Sequence, residues 1–205
     1  MTAEHVIAIL LFTTVASATP GPNNLMLLSS GINYGFYRTI PHMMGICIGF
    51  TFLLSVAGLG LVQMFEAYPA VYQFLKIASA AYLLYLSWKI ATAVSGGAGE
   101  NETDPVRGRP FTFLQAAAFQ WVNPKAWTMA LTAMTAYLPP IEPILGVVLI
   151  VVIFTLVCIP SVIAWTVLGV QMRRFLSDPV RLRQFNILTG CLLAVSLYPV
   201  FFSSA

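Results

Sequence analysis

Charge is what this sequence has least of. Of its 205 residues only 8% are Asp, Glu, Lys or Arg, while 59% are hydrophobic. A soluble domain carries about 25% charged residues. Mean hydropathy is +0.84. So few charges cannot cover a water-facing surface, which excludes a soluble globular domain and leaves an integral membrane protein. Nucleotide-binding signatures are also missing, so ATP does not drive the protein directly. There are two histidines, His5 and His42, with no HExxH, no GxSxG and no acid deep in an apolar run. Hydrolysis needs a nucleophile–base pair, paired carboxylates or metal ligands, so an intramembrane enzyme is not expected. Cys47, Cys158 and Cys191 sit singly in apolar runs without metal-ligand spacing. They read as small buried hydrophobes. No metal, cofactor or nucleic-acid partner is expected.

What the chain does have is long apolar runs. A helix needs about 20 residues to cross a bilayer, and six runs qualify: roughly 5–31, 40–64, 70–94, 112–138, 143–171 and 184–203. Between the third and fourth lies SGGAGENETDPVRGRP, Ser95 to Pro110, Gly-rich and charged, which reads as a solvated loop. The expected fold is an all-α membrane protein of six transmembrane helices in a single domain. Its first repeat covers about 1–94, its loop 95–111 and its second repeat about 112–205. The VASA before Thr19 imitates a signal-cleavage site. The preceding residues hold Glu4 and no Lys or Arg, so Val6 to Ser17 reads as a retained helix.

The basic residues are segregated. Arg38 follows the first run; Lys89, Arg107 and Arg109 follow the third; Arg173, Arg174, Arg181 and Arg183 follow the fifth. The alternate connections carry Glu4, Glu66 and Glu142 and no Lys or Arg. The positive-inside rule puts the basic loops in the cytoplasm and both termini outside. Three spans followed by three spans then have opposite topology, the arrangement of an inverted repeat, which should show matching interruptions in its halves. It does. The first run contains ATPGPNN (Ala18 to Asn24) and the fourth contains QWVNPKA (Gln120 to Ala126). Proline removes a backbone donor and clashes with the preceding turn. Each break therefore frees backbone groups that lipid cannot satisfy, and these are tolerated where they line a polar cavity. Half-helices starting at Pro22 and Pro124 present N–H groups and a positive dipole end suited to a carboxylate. The candidate substrate-binding residues are Pro20, Gly21, Pro22, Asn23, Asn24, Gln120, Asn123, Pro124 and Lys125. Two proline kinks serving packing alone are the plainer alternative. Lys125 is an intramembrane cation and a functional candidate by default; with no deep acid beside it, its charge is expected to face water or ligand.

The segments TPGPNNLMLLSSGINYGFYR, HMMGICIGF, AAYLLYLSWKIA and QWVNPKAW resemble the LysE/RhtB family of amino-acid exporters, and the resemblance runs through all six runs. Its most specific parts are the PGP break with the GxxxG of Gly31 and Gly35, and the NPK break. The resemblance implies a six-helix bacterial inner-membrane exporter of small amino acids and related metabolites. Many members carry an acid after PGP, where this chain has Asn23 and Asn24. The TPGPNN form is most similar to the subgroup exporting cysteine and O-acetylserine.

Other polar residues have two readings each. His42, beside Pro41, is either a proton carrier for coupling or an interfacial residue at a helix start, the plainer of the two. Lys76 either snorkels to the outer surface or lines the pathway. Gly45 and Gly49 form a GxxxG that suits close packing within the bundle more than a homodimer face. Pro160 is a hinge or a kink. The leading function is a secondary transporter working by alternating access, with proton coupling and uniport both open. A passive pore for small polar solutes is the alternative, disfavoured because each break lies within a long run rather than between full spans. The partners expected are a small amino-acid substrate and membrane lipid.

The orientation is directly testable. A C-terminal reporter active only in the cytoplasm is expected to stay silent; a strong signal reverses the whole topology.

Overall fold

A computed structural model describes residues 2–61, 69–92, 109–139, 142–176 and 178–196. Those residues are helical, with no strand among them. Helix α1 (Ala3–Ala18) starts at Thr2, whose hydroxyl accepts from His5 N–H, and stops at Thr19. Helix α2 (Pro22–Tyr34) follows after a bend of 51°. Gly35 ends it at φ 81°, a backbone conformation that a β-carbon would strain, and α3 (Phe36–Val56) begins at once. A π-helical turn, Ala57–Leu61, extends α3. Then come α4 (Pro69–Ala91), α5 (Phe113–Phe119), a 3₁₀ turn at Gln120–Val122, α6 (Pro124–Ala136), α7 (Pro143–Met172) and α8 (Pro179–Val195). Pro22, Pro124, Pro143 and Pro179 all open their helices, where proline's missing N–H costs nothing.

Among the described residues, two helices are long and apolar enough to cross a membrane: α3 with its π turn, and α7. The bent pair α1 and α2 makes a third when taken as one span. Exposed apolar side chains such as Leu11, Ile48, Phe52 and Leu156 ring the bundle. A surface of that kind belongs in lipid rather than water.

α7 is the spine. It packs against α1, α2 and α3, while α3 also carries α5, and α4 pairs with α8. The α2–α7 crossing is closest at two glycines. A β-carbon on Gly31 would meet the Thr166 carbonyl oxygen and lie 3.2 Å from Gly169 Cα; one on Gly169 would meet the Leu28 carbonyl oxygen. Gly45 and Gly49 lie against Phe113, Ala116 and Ala117 of α5. Their face is thus used inside the bundle. At the centre, Cys47 of α3 and Cys158 of α7 bring their Sγ atoms to 3.3 Å.

Several expectations change on this frame. α3 starts at Phe36 and runs through Pro41, so His42 lies a turn and a half inside a helix rather than at its start. It is 1% exposed, and the interfacial reading falls. α7 continues through Pro160 as one helix, so this proline breaks nothing. Cys191 is exposed rather than buried, because the face of α8 packed on α4 presents Gly190 to the Ser87 carbonyl instead. The side chain of Lys76 lies outside the described residues, as do Glu66 and the loop from 93 to 108.

The α3–α7 contact can be tested by cross-linking. With a protease site inserted between Gly97 and Ala98, mild iodine treatment before cleavage is expected to keep both fragments together on a non-reducing gel. Cys47→Ser is expected to separate them. Separation in the wild type would contradict the packing of α3 on α7.

Candidate functional site

The first break leaves α1 with carbonyl groups that its own helix cannot satisfy. Three other elements supply donors. Asn24, in the first turn of α2, donates through Nδ2 to the carbonyls of Ser17 (2.9 Å) and Thr19 (2.8 Å). Ser161 of α7 donates its hydroxyl to the Ser17 carbonyl (2.9 Å). Lys125 of α6 reaches in from the second break. Its Nζ donates to the Thr19 carbonyl (2.7 Å), to Thr19 Oγ1 (2.9 Å) and, at a longer 3.4 Å, to the Pro20 carbonyl. The ammonium has three donors, and all three meet acceptors at the negative end of the α1 dipole.

Lys125, expected to turn its charge to water or ligand, lines this site with its ammonium held by backbone oxygens. Backbone oxygens released by one break hold the cation of the other. Gly21 makes this approach possible. Its backbone is extended, so the requirement is space: a β-carbon there would lie 2.6 Å from Lys125 Cδ and 3.1 Å from Nζ.

A second link joins the breaks without charge. Asn23 Nδ2 donates to Gln120 Oε1 at 2.8 Å, and Gln120 Nε2 donates back to Asn23 Oδ1 at 3.1 Å. Gln120 also donates to the Ala116 carbonyl, and no part of it is exposed. Its buried amide is thus fully committed. In the second break, Asn123 caps α6 by accepting from Lys125 N–H (3.1 Å). At the first break, no side chain caps α2 at Gly21, so its leading N–H groups form a free positive end.

Gly21, Asn23, Asn24, Asn123 and Lys125 share one cavity of ≈ 50 Å³ with Ser17, Cys158 and Ser161. Pro20 joins through its carbonyl. Gln120 stands behind Asn23, while Pro22 and Pro124 set the two helix starts. The cavity holds only a few waters at about 10–15 Å³ each. His42 lies elsewhere. It lines a larger cavity of ≈ 240 Å³ with residues of α2 and α4 and with Arg109 to Phe111. Sequence reasoning missed Thr19, Ser17 and Ser161, which are ordinary residues for a helix end. Only the location of the break pointed to them.

Chemically, the break site combines one cation, an uncapped helix N-terminus and neutral amides, with no acid lining it. That combination favours a carboxylate whose ligand is otherwise neutral or zwitterionic.

Comparison with known proteins is consistent with this chemistry. The cysteine/O-acetylserine efflux protein of Escherichia coli (strain K12) is 29% identical over 204 residues, 98% of this chain and 100% of the relative. That of Shigella sonnei (strain Ss046) matches to the same degree. That of Shigella flexneri serotype 5b (strain 8401) is 29% identical over 193 residues, 93% of this chain and 94% of the relative. No solved structure matches. The LysE type translocator family model matches residues 14–196. The chain is a multi-pass membrane transporter, not an enzyme, and belongs to the LysE translocator family.

Proposed function

We propose that the protein exports small neutral amino acids of the cysteine and O-acetylserine class across the bacterial inner membrane by alternating access. The observation that carries this reading is the Lys125 latch, in which a cation from the second break closes on the carbonyls of the first. A substrate carboxylate offers Lys125 a stronger partner than a neutral carbonyl, since hydrogen bonds between ionised groups are roughly twice as strong. The free N–H groups at the start of α2 offer the same carboxylate further donors. Substrate binding therefore competes with the bonds that hold the breaks together, and the site can open only as that exchange proceeds. The small volume of the cavity disfavours a passive pore.

The proposed architecture is six spans in two inverted halves, with α1 and α2 forming the first span and α5 and α6 the fourth. The packing supports it. Exchanging the halves turns the α1–α7 contact into α5–α3 and returns α3–α7 and α4–α8 to themselves, while the broad α2–α7 contact has only a thin counterpart in α6–α3. In both halves a polar break closes the first part of the first span. The proposed orientation keeps the basic loops in the cytoplasm. For coupling to a proton gradient, His42 is the candidate carrier, buried in a cavity that also holds Lys89 and Arg109.

The test is counterflow in liposomes with a panel of small amino acids, with and without a proton gradient. Saturation at millimolar substrate is expected of a carrier, and a linear flux points to the pore. Lys125→Ala is expected to lower efflux by about 100-fold, as loss of charged hydrogen bonds worth about 1.5–3 kcal/mol implies. Lys125→Arg should keep part of the activity, because the larger planar group fits poorly over Gly21. Membrane levels are measured in parallel. Wild-type efflux from a well-expressed Lys125→Ala protein removes Lys125 from the site.

A further inference from the structure

The larger cavity lies outside the break site and is nearly five times its size, ≈ 240 Å³ against ≈ 50 Å³. Four segments line it: α2 with Ser29 and Asn33, α3 with His42, α4 with Lys89, and the approach to α5 with Arg109 and Phe111. His42 is 1% exposed, and neither ring nitrogen has a hydrogen-bond partner. A buried donor left unmet is costly, and buried polar groups are otherwise almost always paired. The His42 ring stacks on Phe111 at 5.2 Å, and Lys89 Nζ lies 5.8 Å from the centre of that same ring. Among the described residues neither Lys89 nor Arg109 has an acidic partner; the ion pair there is Arg181 with Asp178. Among the described residues, two cations without an acidic partner and an unmet buried imidazole thus share one cavity.

We propose that this cavity is a second amino-acid site, a vestibule in which Lys89, Arg109 and His42 take the substrate carboxylate before it reaches the breaks. The proposal rests on the exporter reading and adds a loading step to it. The complement for an α-ammonium is present as well. Asn33 Nδ2 donates to the Ser29 carbonyl (2.8 Å) and hydroxyl (3.3 Å), which turns its amide oxygen into the free acceptor. Asn23, Met26, Ser30 and Asn33 recur at helical spacing of three and four, so one face of α2 runs from the vestibule to the break site. Met26 stands on that face, lining the vestibule and packed with Leu86 and Phe119.

The experiment is calorimetric titration of the purified full chain in detergent with O-acetyl-L-serine at pH 6.5, and with its methyl ester, which lacks the carboxylate. Wild type and Lys125→Ala are both expected to bind the acid, because the vestibule does not use Lys125. The ester is expected not to bind. Lys89→Gln and Arg109→Gln replace exposed side chains, and each is expected to weaken binding by about tenfold, the loss of one charged hydrogen bond. Wild-type affinity in both glutamine variants overturns the proposal, as does equal binding of the ester. Failure of the vestibule is distinguishable from failure of the exporter reading. Counterflow with unchanged affinity in both variants removes the vestibule alone, and carboxylate-dependent binding without any counterflow removes the exporter alone.

Discussion

The constraint on which this structure depends is that a carbonyl oxygen freed inside a membrane must find a donor that is not water. α1 ends at Thr19 because Pro20 and Pro22 cannot extend it, and its last carbonyls are met by groups from three other elements. Every arrangement at the break answers that demand. Asn24 folds back over the end of the helix that precedes it, Ser161 reaches across from α7, and Lys125 arrives from the opposite half of the chain. Removing the break would leave Lys125 without acceptors and Asn24 without work. A membrane protein with so few charges has thus placed one of them where a backbone defect neutralises it. The cost of an intramembrane charge, about 3 kcal/mol on insertion scales, is offset by contacts that the break itself generates.

The same economy explains the neutral part of the site. Asn23 and Gln120 satisfy each other by a reciprocal pair of bonds, 97 residues apart in sequence. Such a pair holds the two breaks in register without fixing a charge between them. Lys125 therefore sets the electrostatic character of the cavity by itself.

Both breaks were legible in the sequence because Pro and amide residues stand out in an apolar run, and their matching positions pointed to one site. What the residues do there was less legible. Asn24 and Asn123 read as ligand groups, but one caps α1 and the other caps α6. Helix ends attract such side chains from either direction, and sequence does not say which end is short of donors. His42 misled for a different reason. Pro41 imitates a helix start, while the true start follows Gly35, whose positive φ is visible only in the fold. Lys89 and Arg109 read as topological charges at loop edges, and nothing in their spacing joins them to Ser29 or Asn33. That cavity exists only after four segments meet. Spans beyond α3, α7 and the bent pair rest on hydropathy of the sequence.

Gly21 has a consequence for how such a protein can change over generations. The stem of Lys125 occupies the volume that a side chain at position 21 would need, with Cδ 2.6 Å from the place of the missing β-carbon. The two positions are therefore coupled. A methyl group at residue 21 forces the flexible end of Lys125 to shift, so the ammonium must reach its Thr19 and Pro20 acceptors by another path or give them up. A change at one position is felt at the other.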